Sequence, residues 1–142
     1  MTVRRATPED LDAVRALWEA LYAECPEPEH RRKEWTDVEA DVRRALDEHV
    51  ALVAEERGAA VAFVLAHERR AGVGYVSDLY VRPDSRRRGL GRDLLEGAVQ
   101  GVGCPLLELD VAAENTAARG FYQRLGFGEQ SVRLAITAER LL

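Results

Sequence analysis

The stretch from Gly74 to Leu95, "GYVSDLYVRPDSRRRGLGRDLL", most constrains what this chain can fold into. A β-rich run ends at Val81, a basic turn with two glycines follows, and helical spacing begins near Gly89. In that order of elements the N–H groups of the turn and of the first helical turn have no internal partners and point outward together. Glycines at Gly89 and Gly91 allow unusual dihedrals and a close approach of a ligand to the backbone. Arg86, Arg87, Arg88 and Arg92 add donors for charge-assisted hydrogen bonds. Either the turn holds an anion or it is a solvated loop, and the rest of the chain decides.

The flanking segments place this turn inside one α+β sheet domain. "VRRAT" reads as a first strand, with Thr7 as cap and Pro8 at the first helical position. Leu11, Val14, Leu17, Trp18, Leu21 and Tyr22 then recur at helical spacing to about Ala23. "ECPEPEHRR" is a loop, and a second helix is expected from Trp35 to about Asp47. Three β-rich runs cover Val50–Glu55, Ala60–Glu68 and Gly74–Val81, broken at Gly58 and in the Gly72–Gly74 region as hairpins would be. Beyond the turn come a helix from Gly89 to about Val99, a buried strand in "LLELDV", a helix in "NTAARGFYQRLGF" and one or two closing strands in "FGEQSVRLAIT". No repeat or linker interrupts residues 1–142, so a single domain is expected.

Charge and cysteine usage narrow the function. A net charge of −5 is set against a basic island at Arg82–Arg92, which argues against nucleic acid as the main partner. No apolar stretch reaches membrane-spanning length and the N-terminus lacks a signal-peptide core, so a cytoplasmic location without membrane attachment is expected. Cys25 and Cys104 lie far apart in no metal-binding pattern and the three histidines are scattered, so neither a metal site nor redox chemistry is expected.

The anion motif is specific in what it lacks. A Walker loop requires a lysine after the second glycine, and a dinucleotide fingerprint a third glycine, and neither is present. Arg86-x-x-Gly89-x-Gly91 instead matches [QR]-x-x-G-x-[GA]. With the lead-in "DLYVRP", the helix start "LGRDLL", the later "ENTAARGFYQRLGF" and the opening "VRRATPEDL", it resembles the GCN5-related N-acetyltransferases in order and spacing over essentially the whole chain.

That resemblance implies a mixed, mostly antiparallel sheet flanked by helices, with central strands splayed into a V-shaped slot for acetyl-CoA, the donor co-substrate. The backbone of Leu79, Tyr80 and Val81 would pair with the pantetheine arm like an added strand. The Leu79 N–H would also stabilise the oxyanion formed as an amine attacks the thioester. The segment from Arg86 to Arg92, chiefly the amides of Arg87, Arg88, Gly89, Leu90 and Gly91, would cradle the pyrophosphate. Asn115 falls where the family bonds the pantetheine arm, and it is equally placed to cap a helix. Tyr122 matches the family's tyrosine near the sulfur and would protonate the departing thiolate or hydrogen-bond to it.

The general base departs from the family pattern. Tyr75 and Ser77 stand where some relatives carry an acid, leaving Asp78 as the nearest carboxylate, with Glu108 and Asp110 in reserve. Strict alternation along the strand would turn Asp78 away from the slot unless a bulge redirects it. The resemblance implies transfer to a primary amine of a small molecule or peptide by direct attack in a ternary complex, and a homodimer is compatible with it. A non-catalytic coenzyme A sensor is the alternative. Trp18, Tyr22, Glu24, Glu27, Glu29, Glu34 and Trp35 fall where the family forms its acceptor pocket. They suit a cationic amine, or form a solvated helix pair with a charged face.

Overall fold

The computed structural model describes residues 2–142. Residue contacts divide them into a first unit that ends at Asp110 and a second unit, Val111–Leu142.

The first unit is a five-stranded sheet in the order β1 (Thr2–Arg5), β2 (Val50–Glu56), β3 (Ala59–Arg70), β4 (Val73–Val81) and β5 (Leu106–Leu109). The first four strands are antiparallel neighbours and β5 joins β4 in parallel. This is the mixed, mostly antiparallel sheet expected from the sequence. The β-rich runs fall within one to two residues of their expected bounds, because the φ > 0 glycines Gly58 and Gly72 terminate them as hairpin turns.

Helices cover both faces of this sheet. On one side lie α1 (Leu11–Glu24) and α2 (Trp35–Glu48), whose Val14, Leu17, Trp18, Trp35, Val42 and Leu46 form one buried cluster with Val53, Phe63, Leu65 and Tyr80. Entry into α1 is fixed by the Thr7 N–H donating to Asp10 at 2.8 Å, and Arg4 clamps the same carboxylate at 2.8 Å while also pairing with Glu55. On the other side, α3 (Leu90–Val102) buries Leu90, Leu94, Leu95 and Ala98. Its Gly97 lies so close to the sheet that an added Cβ would come within 2.5 Å of Leu52, and one at Gly101 would meet Val50 at 2.8 Å. The carboxyl-terminal half of α3 therefore lies close over β2.

Two expectations are corrected. Strand β5 forms where "LLELDV" was read, but it is not buried: Leu106 is 50% exposed. The closing strands of "FGEQSVRLAIT" do not form. In the second unit α4 (Thr116–Leu125) ends at the left-handed Gly126, and the chain beyond it carries no strand. Val132, Leu134 and Ile136 alternate as strand residues would, but they are exposed, and alternation without a hydrogen-bonded neighbour does not make a strand. No helix among the described residues is long and apolar enough to cross a membrane.

Candidate active site

The site is organised by what β4 does after Val76. Strand β5 pairs with β4 only from Val73↔Leu106 to Val76↔Leu109, whereas β4 runs on to Val81. Past Val76 one edge of β4 is open. The Arg82 N–H donates to the Val61 carbonyl at 2.9 Å, which makes Arg82 and Val61 a hydrogen-bonded antiparallel pair. Alternation along the register Val81↔Ala62, Tyr80↔Phe63, Leu79↔Val64 then fixes the rest. Leu79 and Val81 turn their N–H and C=O groups to the open edge, and Tyr80 turns its own toward Phe63. Two of the three backbone positions named from the sequence thus face the open edge. Tyr80 instead contributes a buried ring whose hydroxyl donates to Glu24 at 2.9 Å.

At the carboxyl end of β4 a short turn, Pro83–Ser85, leads into the arginine loop. Arg87 adopts a left-handed φ of 65° and Gly89 one of 81°. Gly91 lies inside α3 with ordinary helical backbone, so the freedom expected of two glycines is used at one. Left-handed residues in such alternation gather successive N–H groups into an anion-binding concavity. It opens on the amino end of α3, where no side chain caps the exposed N–H groups. A Cβ built at Gly89 would meet nothing within 4 Å, so the space beside it is open. The Leu90 side chain is buried in the core, leaving only its backbone to the loop.

The guanidinium groups are more committed than the sequence suggests. Arg88 donates to Glu56 at 2.6 Å and Ser85 donates to the same carboxylate at 3.2 Å, which ties the loop to the end of β2 and holds Glu56 below the usual carboxylate range. Arg92 pairs with Glu96 one turn along α3. Arg86 bonds the Val81 carbonyl at 2.9 Å and Glu24 at 2.6 Å. Arg87 makes no such pair among the described residues. Glu24 and Glu56 were not foreseen, because they lie 62 and 32 positions from Arg86 and Arg88 and no local pattern marks them, whereas Arg92 and Glu96 stand at helical i,i+4 spacing.

Asp78, the nearest carboxylate expected from the sequence, lies beside a bulge. Leu65 pairs with Asp78 and the next residue, Ala66, pairs with Val76, so Ser77 is the extra residue on β4. The bulge resets the alternation. Tyr75 and Asp78, opposite His67 and Leu65, both point to the α1 and α2 face, which strict alternation would have denied to two residues three apart. Asp78 as a residue keeps partial exposure, but its carboxyl lies deep. Burial raises its pKa above the ordinary value, with Ser77 and Lys33 pulling the other way. Tyr22 on α1 is close enough for the Asp78 charge, after burial, to push its phenol upward.

The reserve acids are occupied. Glu108 accepts from Arg70 at 3.4 Å. Asp110 accepts the Tyr75 hydroxyl at 2.7 Å, and burial together with that bond pushes Tyr75 up to about 12. Arg69 covers the Tyr75 ring at 4.0 Å. Among the described residues no cluster of three or more His, Cys, Asp or Glu could hold a metal ion.

The remaining candidates belong to the second unit. Asn115 caps α4, its Oδ1 accepting from the Ala118 N–H at 3.1 Å. Tyr122 lies mid-helix, its ring 5.2 Å from Phe121 and 5.4 Å from Phe127.

An open strand edge followed by an uncapped, glycine-nested helix start is what the family resemblance implies, and comparison with known proteins agrees. The profile of the acetyltransferase (GNAT) family matches residues 13–127, and the chain belongs to that family. An uncharacterized N-acetyltransferase of Methanocaldococcus jannaschii is 31% identical over 140 aligned residues, covering 92% of this chain and 62% of the relative. The chain thus spans somewhat under two thirds of that relative's length. Among solved structures, the aminoglycoside N-acetyltransferase AAC(6')-Iy bound to a bisubstrate analogue of coenzyme A and acetylneamine superposes with a TM-score of 0.75 at 23% identity, over 96% of each chain. A GCN5-related N-acetyltransferase from Ralstonia eutropha superposes with a TM-score of 0.74 at 22% identity, over 96% of this chain and 98% of the other. At these identities the structural likeness speaks for the fold.

Proposed function

We propose that this protein transfers the acetyl group of acetyl-CoA to a primary amine of a small molecule or peptide, directly and within a ternary complex. The observation that carries the reading is the open edge of β4 running into the Gly89 cradle. It offers an extended arm two backbone partners, Leu79 and Val81, and its pyrophosphate a cluster of free N–H groups. The Leu79 N–H stands to hold the oxyanion. An alkylamine with a pKa of about 10 has to lose a proton before it attacks, and Asp78 is the group assigned to accept it. A deep carboxyl with a raised pKa is a stronger base than an exposed one. Tyr122 is assigned the proton that leaves with coenzyme A, and Asn115 a bond to the pantetheine arm. Bound neighbours of this fold include coenzyme A itself and a coenzyme A–aminoglycoside analogue, which supports an amine acceptor here. No covalent enzyme intermediate is required, because holding both reactants in line supplies much of the rate.

Calorimetric titration of acetyl-CoA into the wild type and Gly89→Trp is the deciding experiment. Micromolar binding is expected in the first and its loss in the second, since the new side chain enters space the protein leaves open. Circular dichroism confirms that the variant is folded. A wild type that binds no acetyl-CoA overturns the proposal. Binding without thiol release across a panel of amines would leave a coenzyme sensor.

A further inference from the structure

One carboxylate holds the arginine loop at two points. Glu56 ends β2, and its Oε1 accepts from Arg88 Nη1 at 2.6 Å while its Oε2 accepts from the Ser85 hydroxyl at 3.2 Å. Ser85 is buried, and the carboxylate satisfies its hydroxyl. Arg88 also reaches back to the Asp84 carbonyl at 3.4 Å, which closes the loop on itself. Between the two bonded positions lies Arg87, with a left-handed φ of 65°. A residue with a Cβ adopts that conformation at a cost, and keeps it only where its surroundings determine it.

The anchor is well placed to do so. Glu56 pairs with Ala59 across a two-residue turn whose Arg57 and Gly58 both have left-handed φ, 55° and 79°. That pairing suits the twist of a tight hairpin, so the turn fixes where the carboxylate stands. Its charge is also matched. Arg88, with Ser85 and Arg57 in support, favours the ionised form of Glu56. An unmatched carboxylate beside an anion site would repel the ligand, whereas one already facing cations adds little repulsion.

We propose, resting on the coenzyme reading above, that Glu56 is a positioning residue for the anion cradle. It touches no ligand. By stapling Ser85 to Arg88 it keeps Arg87 and, two residues on, Gly89 in the left-handed backbone that turns successive N–H groups toward one point. Arg88 then serves the coenzyme through the shape of the loop rather than through its own charge. Without the staple the loop relaxes toward ordinary dihedrals, and the coenzyme binds only the fraction of molecules in which the cradle is formed.

The test is Glu56→Ala, read by calorimetry with coenzyme A and by steady-state kinetics with the amine that releases thiol fastest in the panel above. Coenzyme A should bind the variant about ten-fold more weakly, as expected if the formed cradle falls to about a tenth of the population. KM for acetyl-CoA should rise in step, while kcat at saturating acetyl-CoA and KM for the amine stay within about two-fold, a split that a general loss of structure would not give. Glu56→Gln, which can still accept from one donor, should recover part of the affinity. In an Arg88→Gln background Glu56→Ala should cost at most about two-fold more, because the staple is already open at one end. Unchanged or tighter coenzyme binding in Glu56→Ala overturns the proposal, since tighter binding is what removal of a repelling charge would give. Fully additive losses in the double variant overturn it too, as does a fall in kcat as large as the loss of affinity. A wild type that fails to bind coenzyme A removes the transferase reading and this one together. A wild type that binds it, with Glu56→Ala indistinguishable, removes this one alone.

Discussion

The two sides of β4 after Val76 are made of different material. Toward the proposed coenzyme path the strand presents backbone: the N–H and C=O of Leu79 and Val81, continued by the amides of the Arg87–Gly89 turn and of the first turn of α3. Toward α1 and α2 it presents side chains: Tyr75, Asp78 and Tyr80, brought onto one face by the extra residue Ser77. Backbone groups are the same in every sequence, so a site built from them needs only the right dihedrals and a clear approach. Side chains carry identity, so a site built from them can change its substrate without disturbing its cofactor. A surface made of backbone can thus stay constant while one made of side chains changes.

Substitutions on either side break or sharpen this contrast. The largest effect is expected from Asp78→Asn. If the acceptor face acts through its side chains, kcat should fall by about 10²- to 10³-fold while the coenzyme A dissociation constant stays within two-fold. The pH profile is diagnostic as well. Wild-type kcat/KM should rise with pH along a limb whose midpoint lies above the usual carboxylate value, since burial raises Asp78, and the variant should lose that limb. The sign for stability is opposite. A carboxyl with a raised folded pKa contributes stability below its unfolded value and forfeits it as pH climbs through the folded one, so thermal melts of Asp78→Asn should lack that decline. A parallel loss of coenzyme affinity would show that the two sides are not separable.

A smaller effect is expected at the entry to α1. Arg4 and the Thr7 N–H hold the Asp10 carboxylate down to about 2. Its contribution is present above the unfolded value and is lost as pH falls toward 2; with Arg4 partly exposed it amounts to about 1 kcal/mol. Asp10→Asn should flatten that part of an acid-unfolding curve without altering kcat, because this network stands apart from both sides of β4. The smallest effect is the sharpest test of a backbone-made site. Leu79→Val alters the side chain and retains the N–H, so coenzyme affinity and kcat should both stay within about two-fold, whereas a large loss would give the Leu79 side chain a part.

The arginine loop, the strand before it and the helix after it were legible because each is written in consecutive residues. The helix and strand runs of the first unit were legible for the same reason: their hydrophobic periods are local, and Gly58 and Gly72 punctuate them. Asp78 was legible only as a candidate. Its sharing a face with Tyr75 depends on Ser77 being looped out against Leu65 and Ala66, and nothing in "YVSDLYV" distinguishes a bulged register from a regular one. The fates of Arg86 and Arg88 were not legible, since Glu24 and Glu56 reach them across the fold. The exposed alternation of Val132, Leu134 and Ile136 misled, because period two states what a strand would need and not whether a neighbour supplies it.

The close seat of α3 has a thermodynamic consequence. With Gly97 against Leu52 and Gly101 against Val50, the helix sits close on the sheet, and its amino end borders the proposed anion cradle. The disorder that a floppy cradle would surrender on gripping a phosphate has already been given up during folding. Little entropy then remains to be lost when an anion arrives, and more of the contact energy appears as affinity. A chain of 142 residues thereby draws on its sheet to hold a loop that Ser85 and Arg88 also tie to Glu56 on β2.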